Sequence, residues 1–348
     1  MDKVKVQERV QDLTDLELAA LVSLVACEHC IIETTEECVE ALDEELQLIA
    51  ANTFGLSSSV INCSPKTTWE DFTSGILIAN RPPEEAKSLK KPSPVRRVSS
   101  IALSQDSEER KLPNIVIAKN LNFGSHQIQI QALELIRTKR MLTHTGVYSA
   151  PKTFLIIALT FGASSLVKHL SDQMFLSHFH DPEDGFANLE EGSEWVEDDK
   201  GSSSSVVHKT AAQARQHGAV FEPEELDYLI EASSAVAVSA EVKRYIHNVL
   251  TFLRLHRAVG SGISPRATQH FHHLVKCLAP LHGLTFVTPS LVALAARKIY
   301  RHRIVVVAPE DERSMQYGSD LAAVTAFLEG ITPEHIIEEV LTSVETPV

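Results

Sequence analysis

Val39, Leu42, Leu46 and Ile49 fall at spacings of three and four, which predicts a helix over 36–54. A shorter apolar helix is expected over 16–26, and further helices over 69–78 and 125–140. Between them lie short runs of strand type at 30–33, 59–63, 114–118 and 153–160, with a hairpin arm at 144–148. Strands that alternate with helices predict a mainly parallel sheet covered on both faces. From about residue 206 the pattern changes and the chain reads as all helix. Ser239 can cap a helix running to about 256. Ser264-Pro265 and Thr288-Pro289 each place a capping hydroxyl before a proline at the first helical position. The helices they open are expected to end near 281 and 302, and two more, over 319–329 and 333–343, finish the chain.

Two stretches break this pattern. Residues 81–111 carry paired prolines, basic residues and serines, and 188–205 are acidic and then rich in Gly and Ser. Neither offers enough apolar surface to offset its ordering entropy, so both are expected to be mobile.

With 348 residues the chain has room for two domains, and 44% apolar content is ordinary for a globular protein. The formal charge of −14 changes the picture more. It argues against a nucleic-acid or anionic-membrane binder, since both need clustered Lys and Arg. The polar start is not of signal-peptide type, and the longest apolar run, 153–161, is too short to span a bilayer. Five scattered cysteines fit reduced thiols, hence a cytoplasmic setting with the nucleus left open.

Residues 238–306 carry an ordered series of motifs: Tyr245-Ile246, Arg254, Gly262-Ile263-Ser264-Pro265-Arg266-Ala267, Ala279-Pro280-Leu281-His282-Gly283, Val287-Thr288-Pro289 and His302-Arg303-Ile304. The series resembles the lid of the MoxR and magnesium-chelatase I-subunit branch of the AAA+ ATPases. There a glycine-x-serine-proline-arginine motif opens the second lid helix, V-x-P precedes the third and H-R-I closes it. The N-terminal half resembles the same family in the order of its elements, with Phe154 and Ala158 matching the strand of the first sensor. The resemblance implies an α/β fold class. An AAA+-like core of mainly parallel sheet flanked by helices would occupy 1–186, with a flexible insertion at about 81–111. A linker at 187–220, an all-helical lid at 221–307 and a helical extension at 308–348 would follow.

It also implies nucleotide chemistry, and here the residues disagree. A phosphate cradle needs Gly-x-x-x-x-Gly-Lys and a hydroxyl, so that backbone N–H groups can approach the phosphates. The matching stretch is Thr34-Thr35-Glu36-Glu37-Cys38-Val39-Glu40, without glycine or lysine. The acidic pair that would hold Mg²⁺ and polarise water is replaced by Lys119 and Asn120. Thr160-Phe161-Gly162 stands where the sensor asparagine belongs, and residues 170–175 lack the arginine presented to a neighbouring subunit. Arg266 alone matches, at the second sensor position in the lid, where it reads equally as a helix-surface residue paired with an acid.

Other candidates are weaker. Cys27 and Cys30 form a lone C-x-x-C, read as cysteines at a strand edge rather than a redox or zinc pair. His178 and His180 with Asp181, and His270, His272 and His273, read as solvated surface histidines rather than metal ligands. Arg96-Arg97-Val98-Ser99 has the form of a basic-directed phosphorylation site at Ser99.

The sequence therefore leads to a degenerate, non-hydrolysing member of this group, serving as an interaction or regulatory subunit and needing no cofactor. Its partners would be other AAA+-type subunits or adaptor proteins in a homo- or hetero-oligomer, with no nucleic acid and no membrane. The alternative that resemblance alone implies is an ATP-dependent magnesium chelatase-type subunit, which uses Mg-ATP to drive Mg²⁺ insertion into protoporphyrin. A third reading is a helical binding module attached to a decaying N-terminal half.

Overall fold

The computed structural model describes residues 3–79, 110–144, 146–162, 164–189 and 221–347. Ser99 lies outside them, as do most of both low-complexity stretches. Five strands form one parallel sheet: β1 (Cys30–Thr34), β2 (Ser58–Asn62), β3 (Ile115–Lys119), β4 (Leu155–Phe161) and β5 (Leu176–Phe179), in the order β2-β3-β4-β1-β5. The three central strands are buried on both faces, which is why their sequences are nearly continuous apolar runs.

Alternation along those strands divides the core in two. Ile32, Ile117, Ile157 and Leu159 face a large cluster that continues through α2 (Asp15–Ala26) and α3 (Val39–Leu48) into the C-terminal helices. Ile31, Val116, Ile156 and Ala158 face a second cluster with α4 (Trp69–Ile76), α5 (His126–Thr138) and α6 (Lys168–Gln173). A helix, α1 (Lys3–Gln11), precedes α2 and was not expected from its polar sequence. Arg9 on α1 donates to both carboxylate oxygens of Glu225 at 2.8 and 2.7 Å, so a distant ion pair holds it.

The C-terminal half is built from α7 (Pro223–Ala235), α8 (Ala240–Leu255), α9 (Pro265–Leu281), α10 (Pro289–Tyr300), α11 (Leu321–Leu328) and α12 (Pro333–Ser343). Ser239, Ser264 and Thr288 cap as expected, each hydroxyl accepting from a backbone N–H three residues on. The half is not all helix: Val259–Ser261 pairs antiparallel with Val305–Val306. Gly262 follows at φ +115°, and a Cβ there would sit 2.0 Å from the Arg303 carbonyl oxygen. Close backbone approach explains the glycine that opens the lid motif.

Three other expectations change. The helix over 36–54 is broken into a 3₁₀ turn at Glu36–Cys38, α3, and a π turn at Ile49–Thr53. Beyond that wide turn, the Thr53 hydroxyl donates to the buried Glu17 carboxylate at 2.6 Å. The end of the 81–111 segment is ordered, because Arg110–Lys111 pairs antiparallel with Ile78–Ala79. The start of the acidic linker is also held: the buried Glu45 carboxylate accepts from the Asn188 and Leu189 backbone N–H groups and from the Asn188 amide. Among the described residues, no helix is long and apolar enough to cross a membrane.

Candidate functional site

The sheet reverses its winding between β1 and β4, and in open α/β sheets ligands bind outside the carboxyl ends of the strands at such a point. A crevice of about 430 Å³ lies there, lined by Glu33, Thr34, Thr160, Phe161, Ser165 and Arg301 among others. Its walls come from the strand ends and from the end of α10.

Only residues 35–38 separate β1 from α3. Thr35 has φ −80° and Cys38 φ −95°, and no left-handed residue falls between them. A phosphate-binding nest needs such a reversal so that successive N–H groups converge. The turn lacks that reversal, and the exposed Glu36 and Glu37 stand beside it.

Lys119, at the end of β3, is 5% exposed. Its ammonium lies 2.5 Å from Glu40 Oε2 and 3.1 Å from Asp43 Oδ2, both on α3. Burial pulls its pKa down, but the hydrogen bonds to Glu40 and Asp43 prevail and leave it above the ordinary lysine value. The lysine is thus a fixed cation tying β3 to α3. The two acids, three apart on one face of α3, were the overlooked sequence signal for a cationic partner.

Arg301 is the cation inside the crevice. Its Nη2 lies 3.0 Å from Glu33 Oε2, its Nε donates to Glu334 at 2.7 Å, and its guanidinium stacks 5.0 Å from the Phe179 ring centroid. Burial raises the Glu33 pKa and Arg301 partly offsets that. Two carboxylates already match this arginine, which leaves little positive field for a triphosphate. Thr160 is buried at the sensor position, with Phe161 packed 5.1 Å from Phe123. Asp172, in the 170–175 stretch that lacks the subunit-facing arginine, accepts from the Ser264 hydroxyl at 2.5 Å.

Arg266 does not line the crevice. Its charge acts instead on Glu28, His270 and Arg303, near the opposite ends of the strands. Arg303, from the H-R-I motif, is 4% exposed and binds carbonyl oxygens of Asp172, Met174, Phe175 and Ile299 together with His270 Nδ1 at 2.8 Å. It joins the C-terminal helices to the segment leading into β5.

Three of the histidines differ from the sequence reading, while His272 is exposed as expected. His178 and His180 flank the end of β5, a strand the periodicity did not reveal, and both are buried, as is His270. Neighbouring elements cover them: Lys298 meets His178 Nδ1 at 2.9 Å, and Phe186 packs on His180. Among the described residues no three His, Cys, Asp or Glu side chains are grouped to hold a metal ion. Cys27 is the exposed C-cap of α2, while Cys30 is fully buried, its thiol pushed up to about 12 by burial.

Burial pushes His29, His178 and His270 down to about 3, so all three are neutral in the fold. An unfolded histidine titrates near 6.5. Their contribution to stability is therefore complete above pH 6.5 and is lost as pH falls towards 3. Denaturant unfolding followed over pH 4–6 should show a slope that falls by about 1.4 kcal/mol per pH unit in His29→Asn. That variant keeps an acceptor for the Ile156 N–H, now bound at 3.0 Å by His29 Nδ1, but cannot titrate.

Residues 251–323 match a family profile described as the AAA lid domain. The whole chain superposes on a crystal structure of a candidate ATPase from Cytophaga hutchinsonii, with a TM-score of 0.67, covering 99% of this chain and 97% of that one. The fold is that of an AAA+ ATPase. Sequence identity with that structure is 14%, so the likeness shows the architecture and not the activity. The chain is also 31% identical over 105 residues to maintenance of telomere capping protein 2 from Lachancea thermotolerans. That match spans 29% of this chain and 37% of the relative's length. The crevice lies at the switch point of this sheet.

Proposed function

We propose that this AAA+-fold chain does not hydrolyse nucleotide and acts as an interaction or regulatory subunit. The observation that carries the reading is the Lys119–Glu40–Asp43 cluster. A P-loop enzyme puts a lysine at the start of the helix after β1 and a magnesium-binding acid in the strand that β3 represents. Here the signs are exchanged: the acids are on the helix and the lysine is on the strand. An internal ion pair thus stands where a magnesium ion and phosphates would need charges of the opposite arrangement. The Arg303 contacts and the continuous core beneath the lid support a lid held against the sheet rather than one that swings with nucleotide.

Titration of Mg-ATP and Mg-ADP into the full-length chain should give no saturable heat at millimolar nucleotide, and a coupled assay should show no turnover. Micromolar binding would sink the reading. The acidic chain, at −14, suits a protein partner better than DNA. The curated relative's name speaks of telomere capping, and we take that process as the setting in which to seek AAA+-type or adaptor partners. Ring assembly with such subunits belongs to the same proposal.

A further inference from the structure

A second cleft, away from the switch point, has the makings of a ligand site. It measures about 470 Å³ and lies between α1, α2, β5, α9 and α10. Leu18, Val22, Leu176, Leu274, Leu278 and Leu294 give it an apolar wall. Volume and lining are those of small-molecule sites, which combine an apolar body with a few polar groups. Gln11, Asp15 and His282 are the exposed polar residues in the lining.

Its remaining polar groups, Lys298 and His178, are donors that no anion meets within the fold. Lys298 is half-buried, and its ammonium donates to His178 Nδ1 at 2.9 Å. A neutral imidazole that accepts at Nδ1 carries its proton on Nε2. His178 Nε2 is buried and has no hydrogen-bond partner. Among the described residues no carboxylate comes within ion-pair distance of the Lys298 ammonium. Asp15 contributes only a longer-range attraction from an exposed position, where solvent screens it. Burial lowers the pKa of Lys298 accordingly, and an anion in the cleft would reverse that cost.

We propose that this cleft binds a small amphipathic carboxylate, with its apolar chain along the leucines and its carboxylate at Lys298. The headgroup supplies the anionic partner that the fold omits, and the chain covers apolar wall otherwise open to water. The site uses none of the residues of the crevice at the switch point, so it stands whether or not nucleotide binds there.

The test is calorimetric titration of full-length chain with decanoate, octanoate and decanol below their aggregation limits. Saturable binding of one decanoate per chain is expected, weaker for octanoate by about fourfold for each methylene removed. Lys298→Met should weaken decanoate by about tenfold or more and leave decanol unchanged. Leu294→Trp, which narrows the cleft from its partly exposed side, should abolish both. Circular dichroism and melting of each variant establish that it folds. No saturable decanoate binding to the unaltered chain overturns the proposal. So does equal decanoate affinity in Lys298→Met, or binding that survives in a folded Leu294→Trp chain.

Discussion

Arg303→Ala should lower the free energy of unfolding by about 3–5 kcal/mol, the range for removing one partner from a buried charged network. The guanidinium is buried and serves acceptors from three directions: the Ile299 carbonyl of the preceding helix α10 at 2.6 Å, the Phe175 carbonyl at 3.3 Å, and His270 Nδ1 at 2.8 Å. Its Nε lies 3.8 Å from the Asp172 carboxylate. Burial brings the arginine pKa down to about 10, so it remains charged at neutral pH. Truncation strands several buried acceptors at once, and each left unpaired costs about 1–3 kcal/mol unless water reaches it. Arg303→Lys should fall between the two, because an ammonium keeps the charge but cannot fork to acceptors this widely spread. Urea unfolding of the three proteins, with equal m-values required, measures the effect. A loss below about 1 kcal/mol would mean that the network is not what joins lid to sheet. Hydrogen exchange should rise first in Met174–Phe175 and the end of α10, where the arginine's acceptors lie.

Lys119→Met should cost about 2–3 kcal/mol, somewhat below the 3–5 typical of fully buried pairs. The discount has a structural reason: the Asp43 side chain is 10% exposed, but that of Glu40 is 78% exposed and returns to water when its partner goes. The double variant Lys119→Met with Asp43→Leu should recover most of the loss, since an apolar pair of similar volume often replaces a buried ion pair at no net cost. A double variant as unstable as the single one would place the penalty in packing rather than in the stranded carboxylate. The pH dependence gives a second check. Lys119 has its native pKa above the ordinary value, so its contribution is complete below the unfolded pKa of about 10.4. It is lost as pH rises through the native value, and the alkaline limb of the stability curve should be shallower in Lys119→Met.

Much of the lid was legible because its signals are local. Ser264-Pro265 and Thr288-Pro289 cap and start their helices through hydroxyls that reach N–H groups three residues away. Such bonds form within one turn and depend on no distant contact. The central strands were legible for a related reason: Ile115-Val116-Ile117 and Leu155-Ile156-Ile157 are apolar at every position, and only burial on both faces accommodates that. β5 was missed because Leu176-Ser177-His178-Phe179 is short and mixed, and its strand state comes from pairing with β1, some 145 residues earlier. Its histidines were consequently assigned to the surface. The α1 helix escaped notice because its 3.6-residue periodicity is confined to a single turn or two around Val6 and Val10, both buried against other elements.

By itself the sequence determined that the stretch after β1 lacks the glycine and lysine of a phosphate cradle, and that 119–120 lack an acid pair. Those are statements about which atoms exist, and no folding can supply missing ones. What replaced them was decided by tertiary structure alone. Lys119 and Glu40 are 79 positions apart, and Arg303 and His270 are 33 apart. A charge pair gains its strength from desolvation and from partners held in fixed geometry. Both are properties of the packed sheet and lid, set by the whole fold and written in no single segment of the chain.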